Sequence, residues 1–155
     1  MIKILHSADW HLEAPMSGHT PEQGEFLRSQ LRKIPDKIVD LAISEKCDLM
    51  LLAGDLFDGS CGQETVRIVQ KAMERANIPV FITPGNHDFI QPDSPYLQSG
   101  WSDNVHIFKE QTIKDIQTMN EHMSKQMYDT IFYNPSVEVA LNDLWYTHDK
   151  AKNLY

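Results

Sequence analysis

A chain of 155 residues, 41% hydrophobic and 23% charged, has the length and composition of one soluble globular domain. No apolar stretch approaches a membrane span, and "MIKILHSADWH" lacks the long apolar region and cleavage site of a secretory leader, so a cytoplasmic protein without membrane contact is expected. The net charge of −8 excludes nucleic-acid binding through a broad basic surface of this chain alone, leaving bound cations or a basic partner to supply any such attraction.

In chain order, "IKILHS" (2–7) reads as a short buried strand and 12–20 as a loop with Pro15, Gly18 and His19. A helical stretch over 22–46 carries Phe26, Leu27, Leu31, Ile34, Ile38, Leu41 and Ala42 as its apolar stripe. Pro35 is expected to split it, sitting in the first turn of the second piece. "DLMLLA" (48–53) is a second strand. A helix over 62–77 follows, with Val66, Val69, Met73 and Ala76 on one face, and "PVFIT" (79–83) is a third strand. Alternation of strand and helix predicts an α/β fold with a parallel sheet, and the uninterrupted apolar strands fit a sheet covered on both faces. Beyond a loop over 89–104, "NVHIF" is a possible fourth strand. Residues 110–128 read as a polar, Met-rich helix, with Met119, Met123 and Met127 at helical spacing. "VEVALNDLWYTH" reads as a hairpin turning at Asn142-Asp143. Cys47 and Cys61 form neither a CxxC pair nor a zinc spacing and read as two reduced thiols.

Each of the first three strands ends in polar residues that packing does not require. The endings are Asp9-Trp10-His11, then "AGDLFDG" with Asp55 and Asp58, then "PGNHD" with Asn86, His87 and Asp88. Ligands of open parallel sheets bind beyond the carboxyl ends of the strands, so the three endings should converge. Carboxylates, an imidazole and an amide oxygen suit divalent ions such as Mn²⁺, Fe²⁺ or Mg²⁺. Asp55 is central enough to bridge two ions, and Gly54 and Gly85 permit the turns and close approach such a site needs. His87 is a candidate proton donor to a leaving oxygen, with Asp88 to orient and charge-stabilise it. Asp58 reads as a loop-orienting residue. His6 and His106 read as buried, hydrogen-bonded histidines, and His19 and His122 as solvent-facing. Trp10 and Phe57 read as local packing or walls of the site.

The spaced triplet "DWH … GDLFD … GNHD" resembles the first three motifs of the calcineurin-like metallophosphoesterases. The flanks "HSADWHLEAP", "DLMLLAGDLFD" and "IPVFITPGNHD" are most similar to bacterial DNA-repair exonucleases of the SbcD type, over about residues 1–108. The resemblance implies an α/β/β/α sandwich, of which this chain holds roughly the first sheet and its helices, with 109–155 as an atypical helix plus hairpin. It implies two divalent metal ions, Mn²⁺ first and Mg²⁺ or Fe²⁺ as alternatives. Asp9, His11 and Asp55 would hold one ion, Asp55 and Asn86 the other, and His87 would be the proton donor. It implies hydrolysis of DNA phosphodiesters, an SbcC-like coiled-coil ATPase as partner, and a homodimer. The family's later strand-end histidine and Gly-His-x-His motif are not matched here, unless His148 stands in for the former, so the second metal site is expected to be incomplete. The competing readings are a nucleotide or small-molecule phosphoesterase of the same superfamily, and a non-catalytic binding or dimerisation module.

Overall fold

The structure is a computed structural model that describes residues 2–59 and 61–109. The expected helix over 110–128, the hairpin, the methionine stripe, His122 and His148 lie outside the described residues.

Four parallel strands form one sheet in the order β1 (Ile4–Ser7), β2 (Leu49–Ala53), β3 (Val80–Thr83) and β4 (Val105–Ile107). Helices α1 (Pro21–Leu31) and α2 (Ile34–Ser44) connect β1 to β2, and α3 (Gln63–Ala76) connects β2 to β3. The order never reverses, so right-handed crossovers place the helices on one face. The burial pattern agrees. Leu5, Met50, Leu52, Val80 and Ile82, which share one face by register, join Val39, Ala42, Val66, Val69 and Met73 in a single buried cluster. Each of these large side chains stabilises the fold by about 1.5–3 kcal/mol through burial.

The helices start and stop where their local chemistry dictates. Thr20 and Gln23 form a reciprocal capping box on α1, with Pro21 in its first turn. Pro35 divides the helical stretch as expected and sits in the first turn of α2. Asn77 ends α3 in the left-handed conformation at φ 52°. In turn, Asn104 Nδ2 donates to Met73 O and Ile78 O, fixing the α3–β3 connection against the start of β4.

Two expectations about packing are corrected. Phe26 and Leu41 are exposed, and Val39 is buried in their place. The inward face of α2 runs through Pro35, Val39 and Ala42, and at about 100° per residue Leu41 falls well away from it. His6 is exposed rather than buried, because it alternates with Leu5 and points to the sheet face opposite the helices. That second face also carries Leu49 and Phe81, both buried, and half-buried His106, whose ring packs edge-on against Phe108 with centroids 4.6 Å apart. His19 is exposed. Cys47 and Cys61 are free thiols, and burial pushes the Cys61 thiol up to about 12, with Glu13 and Asp88 adding to the shift.

Candidate metal centre

The strands do not stop pairing where their regular geometry ends. Asp9 N–H donates to Gly54 O at 3.1 Å, His11 N–H to Asp55 O at 3.0 Å and Leu12 N–H to Leu56 O at 2.9 Å. Asp58 N–H returns to Leu12 O at 2.9 Å. This ladder zips the first polar ending to the second. Trp10 and Leu12 are the buried members of the segment, 3% and 0% exposed, so both serve as packing anchors while Asp9 and His11 turn outward. The Trp10 indole N–H donates to Ser7 Oγ at 2.8 Å.

Asp9, His11 and Asp55 all sit at positive φ, 56°, 46° and 53°. Aspartate and histidine are among the residue types that enter this region more readily than most. Three such residues at one edge is the clustering seen where surrounding structure holds backbone strain for a functional purpose. The result is convergence: one ligand atom from each of Asp9, His11 and Asp55 lies within 4.8 Å of the others. Two carboxylates and an imidazole at that separation fit a hard or intermediate divalent cation.

The third ending is pressed against the second. A Cβ on Gly54 would stand 2.9 Å from Gly85 Cα, and one on Gly85 would stand 2.6 Å from Asp55 N. Only glycines allow this approach, and Gly54 also adopts φ +84°. Across the junction His87 N–H donates to Asp55 Oδ1 at 2.8 Å, orienting that carboxylate, and Gly59 N–H donates to His87 O at 3.0 Å. Asn86 is exposed at the same edge, between Gly85 and His87.

The His87 ring is exposed and stands edge-on to the His11 ring, with centroids 4.9 Å apart. Its Nδ1 is 2.8 Å from Asp58 Oδ1. That hydrogen bond holds the His87 pKa above its ordinary value of 6.5, with the nearby Asp55 charge adding to the effect. The hydrogen-bonded partner of His87 is thus Asp58, not Asp88 as the sequence led one to expect. A second set, His11, Asp58 and His87, also offers ligand atoms within 4.8 Å of one another.

Asp88 occupies a different place. It is 2% exposed, and its carboxylate accepts from the backbone N–H groups of Asp55, Leu56, Phe57 and Gly85 at 2.6–3.2 Å. Adjacent residues diverge here, His87 toward solvent and Asp88 into the interior. Glu13 was given no role by the sequence. Its carboxylate takes a bidentate pair from Arg32, at 2.7 and 2.9 Å, and a hydrogen bond from Thr65 Oγ1 at 2.7 Å. This ties the loop after His11 to the end of α1 and the start of α3. The Arg32 guanidinium holds the Glu13 carboxyl below its usual range.

Comparison with known proteins accords with this geometry. The chain is 33% identical over 115 residues to YhaO of Bacillus subtilis, named as an uncharacterized metallophosphoesterase; the match covers 69% of this chain and 28% of that one. It is 27% identical over 165 residues to a protein of Staphylococcus saprophyticus named as the SbcD component of the nuclease SbcCD, covering 98% of this chain and 40% of the relative. The protein of the same name from Staphylococcus epidermidis is 27% identical over 137 residues, covering 84% and 34%. The chain therefore spans between 28% and 40% of the length of these relatives. The family model for calcineurin-like phosphoesterases matches residues 2–154, and the chain belongs to that family.

Proposed function

We propose that this chain supplies part of a two-metal phosphodiesterase centre and acts, within a DNA-repair nuclease, as a DNA exonuclease subunit. The observation that carries the reading is the convergence of Asp9, His11 and Asp55, with the Asp58–His87 pair at their side. The names of the two staphylococcal relatives support a nuclease rather than another phosphoesterase.

Asp9, His11 and Asp55 would hold one ion, and Asp55 with Asn86 a second; the oxygen and nitrogen donors suit Mn²⁺, Mg²⁺ or Fe²⁺, and the family resemblance puts Mn²⁺ first. When bound, such ions act as Lewis acids on a phosphodiester and on water. The chain's own residues do the rest. With Nδ1 of the exposed His87 ring engaged by Asp58, Nε2 is the nitrogen from which a proton would pass to a leaving oxygen. The Asp58 hydrogen bond raises the His87 pKa and so favours the protonated ring. Asp55 is held twice, by Asp88 at its N–H and by His87 at its carboxylate, so its orientation does not wait on substrate.

With a net charge of −8 on this chain, bound cations or a basic partner surface would supply the attraction for DNA. An SbcC-like coiled-coil ATPase and a second copy of this chain, in the cytoplasm, are the partners this reading requires. The same acidity favours one alternative, a nucleotide or small phosphodiester substrate.

Hydrolysis of linear duplex DNA, nucleotides and bis-p-nitrophenyl phosphate by the purified chain with Mn²⁺ separates these readings. Metal-dependent attack on DNA that is lost in His87→Ala supports the nuclease. Attack on the small substrates alone supports the alternative. No hydrolysis at saturating Mn²⁺ points to a binding or dimerisation module.

A further inference from the structure

We infer that Tyr96 is a positioning residue, whose hydroxyl fixes the Asp88 carboxylate so that Asp88 can clamp the loops after β2 and β3 together. Its consequence for ion binding rests on the metal reading above; its consequence for the two loops does not.

Asp88 is a buried carboxylate whose five donors among the described residues are all uncharged. Oδ1 accepts from Gly85 N–H at 2.6 Å and Asp55 N–H at 3.2 Å. Oδ2 accepts from Leu56 N–H at 2.8 Å, Phe57 N–H at 3.2 Å and Tyr96 O–H at 2.5 Å. The four backbone donors belong to the two loops being joined. Tyr96 is the one side-chain donor of the set, and it comes from further along the β3–β4 connection, eight residues after Asp88. Burial without full hydrogen bonding is costly to a carboxylate, so the geometry of all five contacts is interdependent.

Tyr96 is itself held rigidly. It is 1% exposed and lies in a 3-10 turn at Pro95–Leu97, with its N–H donating to Ser94 Oγ at 3.3 Å. Its ring packs edge-on against Phe57, centroids 5.6 Å apart, and stacks with Trp101 at 6.2 Å. Packing alone would be served by phenylalanine. The hydroxyl adds a directed bond to the carboxylate that sets the spacing of Asp55 against Gly85, where glycine is already needed to make room.

The test compares Tyr96→Phe and Asp88→Asn with Trp101→Phe, which removes stacking but keeps the hydroxyl. In the metal-free full chain, amide hydrogen exchange at Leu56, Phe57 and Gly85 should quicken by about tenfold or more in the first two variants, as expected for loss of a hydrogen bond to a charged group. Trp101→Phe should lower the melting temperature without singling out those amides. Mn²⁺ affinity should fall about tenfold in Tyr96→Phe and stay at the wild-type value in Trp101→Phe. Exchange at those amides in Tyr96→Phe no faster than in Trp101→Phe would overturn the inference. If the wild-type chain binds no Mn²⁺, the metal reading falls, and the exchange comparison still decides the role of Tyr96.

Discussion

Gly85→Ala perturbs the site by one methyl group at its narrowest point. Gly85 is not at positive φ, so alanine meets no backbone penalty there; the effect comes from space alone. The new Cβ would stand 2.6 Å from both Asp55 N and Asp55 Cγ and closer still to Asp55 Oδ1, and real Cβ contacts essentially never fall below 3.0 Å, so Asp55 must retreat by at least about 0.4 Å and its carboxylate oxygen by more. Asp55 cannot yield freely. Its N–H is bonded to Asp88, its carbonyl accepts from His11, and its φ is already 53°. Overpacking of this kind costs about 1–3 kcal/mol. At about 2–4 °C per kcal/mol for a chain of this size, the melting temperature should fall by roughly 2–12 °C. A displacement near 0.5 Å is also the limit of tolerance for a preorganised site, so Mn²⁺ affinity should drop about tenfold or more. Scanning calorimetry and a Mn²⁺ titration measure both effects. Wild-type melting temperature together with wild-type affinity would refute the idea that the Gly85–Asp55 contact sets the position of this carboxylate.

Other consequences follow from the charged side chains. Asp58→Asn should bring the His87 pKa down toward 6.5, as read by an NMR titration of its ring in the metal-free protein; an unmoved titration curve would remove Asp58 as its cause. Because the folded value is raised, the His87–Asp58 contact stabilises the fold below about pH 6.5 and ceases to do so as pH rises through the folded value. Arg32→Ala should cost about 1 kcal/mol near neutral pH, the range for a well-formed but partly solvated ion pair. Glu13 is shifted the other way, so this contribution is present above its ordinary pKa of 4.5 and is lost as pH falls through the lower folded value. Melting curves of wild type and Arg32→Ala should therefore converge in acid. A gap that persists at pH 2 would assign the effect to packing of the arginine stem instead.

Much of the fold was legible because its signals are local. Apolar runs of strand length, Pro35 and the face of α3 each state their role within a few residues. The stripe on the first two helices was harder. Phe26 and Leu41 fit a helical period on paper, but the face in use is set by the sheet beneath, and Val39 occupies it. The convergence of Asp9, His11 and Asp55 followed from a rule about strand ends, applied to residues whose chemistry has no place in a core. The division of labour between Asp58 and Asp88 was not legible. Sequence adjacency favours Asp88 as the partner of His87, but the chain bends through Asn86–Asp88, leaving His87 exposed and Asp88 buried. The partner comes from 29 residues upstream. Glu13 and Tyr96 carried no signal at all: Glu13 acts through the distant Arg32 and Thr65, and Tyr96 through Asp88 eight residues earlier, a contact that no local pattern marks.

The three strand endings are proposed to meet at a bound metal ion. A Mn²⁺ titration of the wild-type chain and of Asp55→Asn, followed by the electron paramagnetic resonance signal of the free ion, tests it most directly. Saturable binding by the wild type and at least a tenfold weaker affinity in Asp55→Asn are expected. Equal affinity in the two proteins, or no binding by the wild type, would contradict it.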